Sequence, residues 1–452
     1  MVKEKEYYKR LDYLRIISCI MVLLYHINIL KGGFLAVCTF FTLSGYLGCL
    51  SALKKEKFSI KDYYINRLKK IYLPLIIVVF ITITAFKIVE FTNWVNLKPE
   101  TQSVLFGYNN FWQINAHLDY FTRNVSSPFM HFWYISILMQ FELLFPLMFV
   151  LLKNINKKAR KDISTIIVLA LTIVTTILFL VMSSTQDIMM GYYNTFARSF
   201  SFFFGILLAL LHYKYNFKIS NVFKKFNKII YLLYMLIFII MSIFVSAQSE
   251  NYAIFMILTT IISVRLIEYS TIRNQRYAKD NKWFNLLAKE SYEIYLVQYP
   301  IIFFVQGLPI FDVIKNIIII ILVFVMAHLL SNLINISKHK MQKLIALTAI
   351  IIIGSFVFIN QKDYSDEMKE LENKLNDNLK VTEQQNNEFL NRVEEEKKEE
   401  KKEEKTTNAK IVNIEEEKTK IEEKVKQLPI IGVGDSVLLG ASDELYKMFP
   451  NG

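Results

Sequence analysis

The chain has 452 residues, 53% hydrophobic and 14% aromatic, with a mean hydropathy of +0.31, which excludes disordered, collagenous and small disulfide-rich classes and points to a membrane protein. Charge divides it in two: residues 1–360 carry 37 Lys/Arg against 17 Asp/Glu, net +20, and residues 361–452 carry 16 against 23, net −7. The pI of about 9.2 therefore belongs to the apolar part and is no nucleic-acid signature, so the expected partner is a lipid bilayer and no nucleic acid.

A bilayer-spanning helix needs roughly 20 apolar residues. By that criterion spans are predicted at 11–30, 33–52, 71–91, 132–152, 163–183, 195–213, 228–247, 251–268, 287–306, 314–335 and 342–360, eleven in all. The first follows a basic stretch, as a signal peptide would, but no small-residue cleavage site follows and Gly32-Gly33 leads into the next span. Lys and Arg concentrate in alternate loops: 1–10, 53–70, 153–161, 214–228, 273–289 and 338–343 are basic, and the intervening segments are nearly free of them. The positive-inside rule then places the N-terminus in the cytoplasm and residues 361 onward outside. Cys19, Cys38 and Cys49 all fall in apolar stretches, so neither a disulfide framework nor a CxxC metal site is expected.

Residues 361–428 contain no Pro or Gly and carry 15 basic and 20 acidic side chains, which reads as a charged extracellular spacer. Met368, Leu371, Leu375 and Leu379 are spaced like a brief coiled-coil stripe.

Ionisable groups inside spans are costly and mark sites or buried pairs. Arg15 and His26 are 11 residues apart in the first span, which puts them about 20° apart around the helix and roughly 16 Å apart along it. A histidine near the outer half suits general-base work, because its reference pKa is close to neutrality. The alternative is that Arg15 pairs with Asp12 and His26 caps a carbonyl. Small and polar residues at Ser44-Gly45-Tyr46 would also serve helix packing alone.

These residues resemble the membrane acyltransferases of the acyltransferase 3 family, which modify cell-surface polysaccharides. The order Arg15, ten residues, His26, then Gly32-Gly33-Phe34 and Phe40-Phe41 with Leu43-Ser44-Gly45-Tyr46 carries the likeness. Arg67-Leu68-Lys69-Lys70-Ile71 with Pro74 follows in the expected place, as do Ser127-Pro128 with His131, Trp133 and Gln140. Thr195, Arg198 and Gly205, and Ser291-Tyr292, Tyr295-Leu296 and Pro300, complete a match over residues 8–335. The resemblance implies catalytic roles for Arg15 and His26. It implies substrate or donor contacts for Arg67, Lys70, Tyr46, His131, Trp133 and Arg198, with acetyl-CoA as donor and no permanently bound cofactor. A basic rim of Arg67, Lys69 and Lys70 suits the phosphates of acyl-CoA, although the positive-inside signal alone would also place it there.

The chain departs from the family pattern at Cys38, Leu138, Gln298 and Phe200-Ser201, where acidic, Glu, His and Trp-Glu residues are usual. Glu142 or Glu293 could replace the lost carboxylates, and Glu142 could instead pair with Arg198. His117 and Asp119 read as loop residues, and His212, His328 and His339 have no comparable context.

Residues 429–452 read as a strand entering a helix, with Gly434-Asp435-Ser436 at the turn. They resemble the first block of SGNH hydrolases, whose nucleophile is the Ser of a GDS motif. Only 16 residues follow Ser436 and none is His, so the fragment is expected to be the truncated start of that domain, inert as it stands.

The expected architecture is thus an all-α polytopic membrane protein of about 11 transmembrane helices. Its domains are a ten-helix acyltransferase 3 domain at 1–340, an eleventh helix at 341–360, a charged extracellular linker at 361–428 and the start of an α/β SGNH domain at 429–452. The expected function is transfer of an acetyl group from cytoplasmic acetyl-CoA to a cell-wall glycan in a bacterial plasma membrane. Acylation of another surface polysaccharide, transport, and a plain membrane anchor are the alternatives; transport predicts internal repeats, and none is evident.

Overall fold

A computed structural model of the chain describes residues 8–89, 97–116, 127–184, 188–215, 224–249, 251–272, 282–335 and 340–360, with isolated positions between 374 and 386. Every element among the described residues is helical. Ser436 with the rest of 429–452, the stripe residues Met368, Leu371, Leu375 and Leu379, and His117, Asp119 and His339 lie outside the described residues. Within residues 364–452, the described positions from Lys374 to Asn386 are helical.

The long helices are α1 (Lys9–His26), α2 (Ala36–Leu53), α4 (Leu73–Val89), α7 (Trp133–Ala159), α8 (Ser164–Ser183), α10 (Thr195–Tyr215), α11 (Lys224–Phe244), α12 (Tyr252–Ile272), α13 (Lys282–Gln306), α14 (Asp312–Ile334) and α15 (Lys340–Ile359). Each coincides with one predicted span. Eight helices among the described residues are long and apolar enough to cross a membrane. The other three predicted spans are dilute in apolar residues for visible reasons. Lys9, Arg10, Asp12 and Arg15 crowd the start of α1, and Lys282, Lys289, Glu290 and Glu293 that of α13, while α11 has an apolar stretch of only Ile229–Phe244.

Shorter helices were not foreseen: α3 (Ile60–Arg67), α5 (Leu97–Leu105), α6 (Asn109–Asn115) and α9 (Ile188–Tyr193). Ser59 caps α3 by accepting from the Asp62 amide at 3.2 Å. The helix then widens to a π turn over Leu68–Tyr72 before continuing as α4.

Burial sorts the bundle into centre and rim. In α2, 83% of the apolar window is buried, against 11% for Met341–Ile359 and 17% for α8, whose Ile166, Ile173 and Ile177 face outward. α2 therefore sits at the centre, packed on α10, α12, α1 and α7. Its approach to α10 is backbone to backbone: a Cβ at Gly205 would collide with the Thr42 carbonyl. Close contact through small residues is the usual way apolar helices associate where water supplies no hydrophobic drive.

α1 ends at His26, four residues before the predicted limit. Asn28 takes a left-handed conformation (φ 62°), which stops the helix, and a 3-10 turn at Gly33–Leu35 starts the chain back. Gly33 lies so tightly on the Met21 carbonyl that a side chain would not fit, and the Gly32 amide donates to the Ser242 carbonyl at 2.8 Å. His26 is thus pinned at the foot of a fixed turn.

Candidate functional site

Two adjoining cavities open at the end of the bundle that carries the basic loops. The larger, about 760 Å³, is lined by Tyr8, Asp12, Arg15, Lys69, Lys70, Lys289, Tyr292 and Glu293 among others. The smaller, about 210 Å³, shares Arg15, Leu47 and Tyr292 with it and continues inward to Ser44, Arg67, Tyr134, Leu138, Glu142 and Tyr295. The π turn supplies Lys69 and Lys70 to the larger cavity, and its Ile71 carbonyl accepts the Tyr292 hydroxyl at 2.8 Å, which ties α13 to the wall. Arg15 lines both cavities and donates to Asp12 at 3.2 Å, one turn back on the same helix.

Glu142 organises the inner cavity. Its carboxylate accepts the Ser44 hydroxyl at 2.8 Å, the Tyr63 hydroxyl, and the Arg67 Nε at 2.8 Å. The pairing of Glu142 with Arg198 weighed from the sequence does not occur. Arg198 lies fully buried with its guanidinium over the rings of Phe41, Trp133 and Tyr192 at 5.1–5.6 Å, and Nη1 reaches the Met256 sulfur at 3.5 Å. Trp133, beneath it, and Glu142 are nine residues apart on α7, about 13.5 Å along the helix, so one arginine cannot serve both. Desolvated cation–π contacts, worth on the order of 2 kcal/mol each, are what stabilise that charge. Leu138 and Glu142 line the same cavity one turn apart, so Glu142 supplies a carboxylate on the wall where the family pattern has its Glu.

Beyond the smaller cavity the site becomes a stack of rings. Tyr134 and Tyr295 lie 5.2 Å apart, and Tyr295 is also 5.2 Å from His131 and donates to its carbonyl at 2.7 Å. His131 stacks on Tyr299 at 5.2 Å, and Tyr299 meets the His26 ring edge-on at 4.9 Å. The two histidine rings are 6.3 Å apart, and Gln298 faces His26. Arg15 and His26 thus occupy opposite ends of one path, as their shared helix face implies.

The remaining candidates separate. Tyr46 points away from both cavities, stacks on the His212 ring and meets its Nδ1 at 2.5 Å. Trp133 forms the floor of the Arg198 cage. Gln140 and Thr195 hold the short helices: Gln140 donates to Gly107 O at 2.8 Å and to Asn110 Oδ1 at 2.9 Å, and accepts from Thr195 at 2.5 Å.

Sequence reasoning missed Glu100 on α5, fully buried, accepting the Ser127 hydroxyl at 2.5 Å and within electrostatic reach of Tyr299. The one signal was an acidic residue beside a proline, Pro99, in a sparsely charged stretch. His328 does have a partner, the buried Glu290, at 2.8 Å. Cys19, Cys38 and Cys49 are buried free thiols.

Comparison with known proteins identifies the family. The O-acetyltransferases OatA of Staphylococcus aureus strains NCTC 8325 and COL are each 27% identical to the chain over 315 residues, 67% of this chain and 51% of theirs. Strain COL holds another relative with O-acetyltransferase in its name, 28% identical over 319 residues, 68% of this chain and 52% of its own. The chain spans about half the length of the curated relatives it matches. No solved structure matches it. The acyltransferase domain model of the acyltransferase 3 family matches residues 8–359, from the start of α1 to the end of α15. That match, over a helical bundle that buries His26, His131 and Arg198, makes the chain a member of the acyltransferase 3 family of membrane acyltransferases.

Proposed function

We propose that the chain is the membrane part of an O-acetyltransferase that takes an acetyl group from acetyl-CoA at the cytoplasmic face and passes it to a cell-wall glycan, peptidoglycan, outside a bacterial plasma membrane. The carrying observation is the continuity of the basic cavity, the smaller cavity and the ring stack that ends at His26. With the N-terminus inside, as the alternation of basic loops implies, the basic cavity faces the cytoplasm.

Lys69, Lys70 and Lys289 then meet the phosphates of the donor, and its acetyl thioester arm enters beside Arg15. Tyr134 and Tyr295 are the hydroxyl groups in line between the thioester and the histidines. His26, at the far end of the ring stack, acts as general base on the outer acceptor: it takes the proton of the acceptor hydroxyl as that oxygen bonds the acetyl carbonyl carbon, and returns it to the group from which the acetyl departs. Residues 429–452 resemble the start of an SGNH domain, and on that resemblance Ser436 is the next acceptor, from which the group goes to the glycan. Another surface polymer is the alternative acceptor.

The test measures base-labile acetate on purified peptidoglycan from a deletion strain complemented with the complete gene or with residues 1–452, each with and without His26→Ala. Acetate restored by the complete gene and lost in its His26→Ala form, with the protein still in the membrane fraction, is the expected result. Acetate unchanged by the deletion would refute the peptidoglycan assignment.

A further inference from the structure

A third cavity, about 500 Å³, lies between α2, α7, α8 and α10 and shares no lining residue with the two already described. It falls on the opposite side of α2: Leu47 borders the donor-side cavities, and Cys49 and Ala52 border this one. Its mouth carries Lys54, Lys55 and Lys153 against the single carboxylate of Glu56. Its depth is apolar, with Phe145, Phe149, Leu152 and Ile206 all buried. Lys55 and Lys153 make no ion pair among the described residues.

We infer that this cavity binds one anionic phospholipid, with its phosphate against Lys54, Lys55 and Lys153 and an acyl chain along the Phe149–Leu152 wall. Charge complementarity selects the headgroup, since three ammonium groups at one mouth favour an anion and disfavour a zwitterion. The apolar depth selects a tail, because a soluble phosphate would leave that wall unfilled. The surroundings supply the ligand: Leu143, Leu147 and Leu151 of α7 are 54–61% exposed, so a lipid-facing band runs up to the mouth. The size lies within the range of roughly 300–1,000 Å³ usual for ligand cavities. The rim is rigid. Asn156 and Ser164, both lining residues, bond each other at 2.7 Å, and Asn156 accepts the Ile163 and Ser164 amides at 2.8–2.9 Å.

The site is also linked to the donor cavity. Lys54 donates to the Tyr8 hydroxyl at 3.0 Å, and Tyr8 lines the large basic cavity. A phosphate that draws Lys54 away breaks that hydrogen bond at the donor entrance.

The test uses the full chain, purified and stripped of lipid, then titrated with phosphatidylglycerol, phosphatidylcholine or glycerol 3-phosphate and read by native mass spectrometry. One phosphatidylglycerol is expected to bind, with neither of the other two bound at the same concentration. The double variant Lys55→Gln/Lys153→Gln should weaken it roughly 30-fold, which corresponds to about 1 kcal/mol per lysine at 1.4 kcal/mol per tenfold. Met148→Trp, which fills the cavity and keeps every lysine, should abolish it, so that either variant recovered in folded form decides. Equal binding of phosphatidylcholine, equal binding of glycerol 3-phosphate, or unchanged affinity in a folded variant would overturn the assignment.

Discussion

Removing the Glu142 carboxylate tests whether the polar knot in the inner cavity is a structural pair. Ser44, Tyr63 and Arg67 all donate to this one group, which is 4% exposed. Breaking one side of a buried pair costs about 3–5 kcal/mol, because the remaining charge stays desolvated. The Arg67 side chain is 30% exposed, so cavity water relieves part of that penalty, and Glu142→Gln should cost about 2–3 kcal/mol. Arg67→Met should cost a similar amount by leaving the carboxylate short of its cation. The double variant should cost less than the sum by about 1.5 kcal/mol or more, since residues in one network couple by about 0.5–3 kcal/mol. The assay is reversible unfolding of all four forms in mixed micelles titrated with denaturing detergent. Single effects that add to within about 0.5 kcal/mol would refute the coupling, and an unaltered Glu142→Gln would refute the whole account.

Gly205→Val should destabilise the bundle by about 1–3 kcal/mol in the same assay, because α10 must move off the Thr42 carbonyl; an unchanged midpoint would mean that α2 and α10 do not touch there. Asp162, in the α7–α8 turn, is raised by burial but more strongly lowered by hydrogen bonds from Lys214, Thr165 and Ser164, which together hold it below the usual carboxylate range. Its native contribution is therefore full above the unfolded pKa of about 3.9 and lost as pH falls below that value. Asp162→Asn should cost about 1 kcal/mol at pH 7 and progressively less below about pH 4, measured by thermal melts across pH; a difference independent of pH would show that charge plays no part.

The eleven long helices among the described residues were readable because a 20-residue apolar run has few other fates, and the Arg15–His26 relation because a helix fixes angle and rise. What hydropathy does not encode is which faces meet. Tyr46 finds His212 across 166 residues, and Glu142 finds Arg67 and not Arg198, through the register of α2, α7 and α10. That register is set by where glycine lets backbones touch, a property of pairs of helices and not of either segment. Glu100 was unreadable for another reason: α5 and α6 are held by Gln113, Asn110 and Gln140, a side-chain network with no periodicity. Gln140 and Thr195, which resemble residues of the family pattern, fasten those helices.

The ring stack between the small cavity and His26 has an electrical meaning. Tyr134, His131, Tyr295 and Tyr299 are each no more than 6% exposed, so the cavities end against a dry barrier. A membrane potential does work of about 2.3 kcal/mol per elementary charge per 100 mV. A water-filled passage wide enough for a nucleotide cofactor would short-circuit that field at every turnover. On the proposed function, a barrier of packed rings lets a neutral acyl group be handed on while the bilayer on either side stays charged.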